Sequence, residues 1–242
     1  PAHPAKDPVS PPPSLAFLRD APTGAAVDFA GKPVPLQNLR ASLTLTPSQF
    51  SIDTLHAQLL GGSAQLHARL PLHASPPLLS GSLQLHALRF AELTRLYQPA
   101  SRAKGSLSAS LDWSIAPSDS PQVRASGTAS LSQTHAAEWP GFAPLFQLLP
   151  APLQTSSEPR HHASLQWELR DNTLLAFPLQ IDAAPFALRL EGSLHLKDLS
   201  LQLQAKLSSS PPHVPGTEAP READSMRFKA RGSLLKPLWQ KD

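Results

Sequence analysis

From Gly105 to Ile115 the chain keeps a two-residue period. Gly105, Leu107, Ala109, Leu111, Trp113 and Ile115 alternate with Ser106, Ser108, Ser110, Asp112 and Ser114. In a β-strand this puts every apolar side chain on one face and every polar one on the other. The rhythm returns in Leu39 to Leu45, Ala64 to Leu72, Ala163 to Leu169, Phe186 to Leu196, Leu199 to Leu207 and Phe228 to Leu234. Roughly ten to twelve strands follow, mostly joined by short turns, which predicts antiparallel neighbours. The fold expected is mainly β: one large curved antiparallel sheet or groove whose apolar face must be covered by something.

Two segments switch to helical spacing. Phe90, Leu93, Leu96 and Tyr97 recur at three- and four-residue intervals, as do Phe142, Leu145, Phe146 and Leu149. Helices this short do not hold together alone in water, so both are expected to dock on the sheet as caps. Residues 1–14 are proline-rich and read as an extended linker into a domain covering 15–242, and Ser208 to Asp224 read as a long exposed loop. Gly61 and Gly62 in GGSA suit a hairpin turn. The tripeptide Gly-Ser-Leu recurs at Gly81, Gly105, Gly192 and Gly232 without a fixed period. That irregularity argues against a solenoid, and a glycine in a strand marks a bulge or bend.

Composition narrows the function classes. The net charge of +3 over 242 residues is spread singly along the chain, so the clustered basic footprint of a nucleic-acid binder is missing. With no cysteine, a disulfide framework and thiolate metal sites are excluded, while the compartment stays open. No apolar run approaches the roughly 18 to 20 residues that span a bilayer as a helix. The chain begins at Pro1, so it is expected to be a processed product or a piece of something longer, with any membrane anchor outside these residues.

Three stretches carry a family resemblance. Ser51 to Leu70 has strand, paired glycine, strand; Gly81 to Trp113 has strand, short amphipathic helix, and a new strand opening on glycine; and the strands from Phe186 close on Gly232, Leu234 and Pro237. Together they cover about two thirds of the chain, and in them it resembles the C-terminal region of the AsmA family, the Gram-negative envelope proteins grouped with TamB and YhdP. The resemblance implies an inner-membrane anchor, a β-rich periplasmic body and, by likeness to the larger members, a lipid-carrying groove between the membranes. About ten strands at roughly 4.8 Å spacing give only some 50 Å, so this chain is expected to be a section of such a bridge.

Candidate chemistry is sparse. His67, His73, His86 and His195 fall in phase with polar strand positions, and the adjacent His161 and His162 point to opposite sides of a strand. Neither an HExxH string nor a carboxylate cluster accompanies them, so no metal and no cofactor are expected. No GxSxG elbow accompanies the many serines, and no enzymatic activity is expected. The remaining candidates are apolar: Leu107, Leu111, Trp113, Leu165, Trp167, Leu188, Leu190, Leu201, Leu203 and Phe228, each either a lipid contact or plain core. The expected function is non-catalytic handling of a phospholipid or other acyl lipid in envelope biogenesis, alongside envelope proteins. The alternative is a structural or protein-binding β-sandwich module. An outer-membrane barrel ranks last, because the aromatic girdles it needs are missing.

Overall fold

The computed structural model describes residues 14–15, 25–29, 32–75, 77–116, 122–139, 142–149, 161–170, 173–183, 186–195, 200–209, 225–233 and 236–242. Most of the proline-rich entry segment and of the second proline-rich stretch lie outside them. The described strands are β1 (Ser14–Leu15), β2 (Ala26–Phe29), β3 (Lys32–Pro35), β4 (Gln37–Leu45), β5 (Gln49–Leu59), β6 (Gly62–Pro71), β7 (Leu79–Arg89), β8 (Ser106–Ala116), β9 (Gln122–Thr134), β10 (His161–Arg170), β11 (Thr173–Ala183), β12 (Phe186–His195), β13 (Ser200–Ser209), β14 (Met226–Ser233) and β15 (Lys236–Lys241). Helix α1 spans Phe90–Tyr97, a single 3₁₀ turn spans Ala136–Glu138, and α2 spans Ala143–Gln147. α2 is shorter than its spacing predicts, since Pro144 opens it and Leu148 already closes it.

The protein is mainly β, with one antiparallel sheet of thirteen described strands in the order β1-β4-β5 and then consecutively to β15. β2 and β3 form a separate hairpin. From β4 onward spatial order is chain order, with α1 between β7 and β8, the 3₁₀ turn and α2 between β9 and β10, and most neighbours joined by short connections. One such connection is the turn after β5. Leu60 and Gly61 both take positive φ, 47° and 72°, the pairing a two-residue type I′ hairpin demands.

Pairing preserves the alternation across the sheet. Leu83, Leu111, Gly127 and Trp167 are consecutive partners on one face; Gln84, Ser110, Thr128 and Gln166 run parallel to them on the other. Where the spacing of leucines breaks phase, the backbone adjusts. Leu85 and Leu88 are an odd number apart, and a register shift between them, with Ala87 at φ 53°, returns both to the apolar side. A similar shift separates Ile52 from Leu55. Ala87 is an ordinary residue at its shift, whereas the shift between Ala176 and Leu179 of β11 lies opposite Gly192, one of the Gly-Ser-Leu glycines, at φ 155°.

The sheet is strongly curled toward its apolar face. Phe90, whose amide donates to the Gly105 carbonyl at the head of β8, meets Trp139; Trp139 meets Phe142; and Phe142 meets Trp239 of β15, at ring-centroid distances of 6.1, 5.3 and 6.0 Å. Phe90 and Trp239 are thus at most about 17 Å apart, whereas seven flat strand spacings from β8 to β15 would separate them by about 34 Å. The strands bend around residues 136–139 and 142–149 as around a plug.

Candidate functional site: a half-filled apolar trough

The curl makes the apolar face the floor of a trough, and the plug fills one end of it. Trp139, Leu145, Phe146 and Leu149 are buried there, against Leu131 of β9, Ala163 of β10, Ile181 of β11, Phe186, Leu188 and Leu190 of β12, Ala205 and Leu207 of β13, and Phe228 of β14. Leu107, Leu203 and Trp239 pack on the rim of this core. Four polar groups secure the plug. The Trp139 indole Nε1 donates to Thr134 Oγ1 at 2.7 Å, and the Ala136 amide donates to His161 Nδ1 at 3.0 Å. Because Nδ1 accepts, the proton of the neutral ring sits on Nε2, which is buried without a hydrogen-bond partner. Burial, and secondarily the neighbouring His135 ring stacked 5.1 Å away, pulls the His161 pKa down to about 4.

Along β8 to β10, toward the other end, the apolar face extends beyond the core that the plug forms. Leu111, Trp113, Leu165 and Trp167 are half-buried and lie outside the described core cluster. Two glycines let the indoles lie down across the floor. A Cβ at Gly81 would stand 2.6 Å from Cζ2 of its cross-strand partner Trp113, and one at Gly127 would stand 3.0 Å from Cζ2 of its partner Trp167. Each indole therefore covers the bare backbone of the next strand.

The ten sequence candidates divide accordingly. Leu188, Leu190, Leu201 and Phe228 are fully buried, with Leu188, Leu190 and Phe228 in the protein's own core cluster. Leu107 and Leu203 stand at its border, and Leu111, Trp113, Leu165 and Trp167 lie half-buried outside it. The plug and its buried His161 were not legible as a site: only the opposite orientation of His161 and His162 was, and it holds, with one buried and the other exposed.

The wet face has relief of its own. A furrow of about 920 Å³ crosses β5 to β11, walled by Gln65, Gln84, Ser110, Thr128 and Gln166 on one side and by Ser63, His86, Ser108, Ser130 and Gln180 on the other. Its lining combines hydroxyl, amide and imidazole groups with Leu85, Ala109, Ala129, Leu165 and Pro178, and no carboxylate, lysine or arginine is among the described residues that line it. Nearer the ends of β5 and β6, Asp53 accepts from Thr44 and Ser51 at 2.5 and 2.8 Å, and these bonds hold its carboxyl below the usual range. Among the described residues no three histidine, cysteine or acidic side chains gather as a metal site. No described helix is long and apolar enough to cross a membrane. No protein-family model, no curated protein and no solved structure matches the chain.

Proposed function

We propose that the chain is a non-catalytic lipid-handling module whose trough shelters the acyl part of a phospholipid or a related lipid. The observation that carries this is the half-buried floor formed by Leu111, Trp113, Leu165 and Trp167 beside a fully buried core on the same sheet face. Burial is worth about 0.8 kcal/mol per methylene, so a dozen methylenes laid on this floor contribute on the order of 10 kcal/mol before ordering costs. No charged side chain is needed for that gain, and the polar head remains in water. The AsmA-like pattern of the sequence adds the setting: a periplasmic body, an inner-membrane anchor outside these residues, and envelope proteins as partners in outer-membrane biogenesis.

The test is uptake. The purified chain, stripped of lipid by organic extraction and refolded, is expected to take up a fluorescent phospholipid from vesicles and to carry lipid in native mass spectra. A chain that stays lipid-free in both measurements refutes the reading. The second reading, a structural envelope module, is favoured by the burial of Leu188, Leu190 and Phe228 against the plug; it predicts that outcome together with unchanged thermal stability in the presence of lipid.

A further inference from the structure

The furrow on the wet face differs from the surface around it, and we infer that it is a binding groove for a neutral, extended oligosaccharide. It lies on the face opposite the apolar floor, so its ligand and the acyl guest proposed above are independent of each other.

Strand register builds the groove from two rows of residues. His56, Gln65, Gln84, Ser110, Thr128 and Gln166 are successive cross-strand partners on β5 to β10. Two residues away along the strands, Ser63 pairs with His86 on β6 and β7, and Ser108, Ser130, Ser164 and Gln180 partner one another in turn on β8 to β11. Every one of these residues lines the furrow. Each row crosses five strand spacings, about 24 Å at roughly 4.8 Å each, and the rows stand about 7 Å apart. A volume of about 920 Å³ drawn out over that length suits an extended ligand, where a compact one needs a bowl.

The chemistry of the rows selects the ligand. They hold four glutamines, five serines, a threonine and two histidines, groups that donate and accept hydrogen bonds as sugar hydroxyls do. Charge is close by yet kept out: the next positions on the same face carry Asp112 and Glu168 beyond one row and Asp182 beyond the other. A phosphate meets no lysine or arginine among the described lining residues, and a cation meets no carboxylate. A peptide cannot extend the sheet here, because the groove crosses strands already paired on both sides. Sugar units in a straight chain repeat at close to the strand spacing, so successive rings meet successive strands. Ser110 and Thr128 hold each other at 2.9 Å, whereas Gln84, Ser130, Ser164 and Gln166 make no side-chain hydrogen bond among the described residues and are open to a ligand.

The test is titration calorimetry of the full chain with straight, β-linked oligosaccharides of glucose and of N-acetylglucosamine, from dimer to hexamer, with the coiled α-linked glucose hexamer as control. At least one β-linked hexamer is expected to bind, more than about tenfold tighter than its dimer, since each neutral hydrogen bond is worth roughly fivefold in affinity. Its affinity should be the same at low and high salt, because no charge takes part. Gln84 and Gln166 are exposed, so the Gln84→Ala/Gln166→Ala variant is expected to keep its far-UV circular dichroism and to bind the hexamer about twentyfold more weakly. Its phospholipid uptake should equal the wild type's, which separates this groove from lipid handling. Failure of every β-linked hexamer to bind overturns the inference, and so does binding that the double variant leaves intact, that weakens with salt, or that the coiled hexamer matches.

Discussion

Leu190 and Leu111 project from the same face of one sheet, and truncating each to alanine separates the filled part of the trough from the unfilled part. Leu190 is 1% exposed, pairs with Leu179 and Ala205, and belongs to the core around the plug. Its loss removes transfer energy and leaves a closed cavity, so Leu190→Ala should cost about 3 to 4 kcal/mol. Leu111 is half-buried, and one of its register partners is Gly127, which has no side chain to pack on it. Leu111→Ala removes only the buried part of its area and opens no enclosed void, for a cost of about 1 kcal/mol. With a urea m-value of about 2 to 3 kcal/mol/M, the midpoint should fall by more than about 1 M for the first variant and by less than about 0.5 M for the second. Urea unfolding followed by far-UV circular dichroism measures both. Equal losses would show that Leu111 is roofed by the protein as tightly as Leu190, and the argument for a guest would collapse.

Three further outcomes are expected. His161 is a buried base whose pKa falls from 6.5 to about 4 on folding, so the unfolded chain binds the extra proton between these values. Stability is therefore complete above about pH 6.5 and declines as the pH drops toward 4, by up to about 3 kcal/mol and nearer 2 after screening; a His161→Phe variant whose urea midpoint falls by as much as the wild type's between pH 7.5 and 4.5 would assign the decline to other groups. Gly81→Ala sets a Cβ 2.3 Å from the His67 carbonyl oxygen and 2.6 Å from Trp113, which should cost about 1 to 3 kcal/mol and alter the near-ultraviolet dichroism; an unchanged tryptophan signal contradicts the indole's position over Gly81. Leu60→Asn replaces a leucine at φ 47° by the residue that type I′ turns prefer, and should raise stability by about 0.5 to 1 kcal/mol in thermal unfolding; a loss would mean that the Leu60 side chain contributes more than its strained backbone costs.

Much of the architecture was legible because strand pattern is a local property. Leu107, Ala109, Leu111 and Trp113 alternate with serines and an aspartate, so any pairing that keeps register sends them to one face. The extent of α1 was equally readable, while the turn expected at Gly61 and Gly62 falls one residue earlier, at Leu60 and Gly61, with Gly62 already in β6. The bulges were harder. Only the odd spacing of Leu85 and Leu88 hinted that the backbone must slip, and Ala87 carries no turn signature. His161 could be assigned a side of its strand, yet nothing in its neighbours in the chain says that Ala136 and His135 fold back onto it.

The order of residues by itself determined a one-sided antiparallel sheet with two short helices, since hydrophobic period, turn chemistry and helix length act over a few residues. Tertiary structure alone decided which apolar residues are core and which are floor. Leu190 and Leu111 occupy equivalent positions in the pattern, and they differ only because the sheet curls until β8 and β15 reach the same plug. That curl is the sum of twists and bulges over many strands. No short window of sequence encodes where such a sum brings two distant strands together.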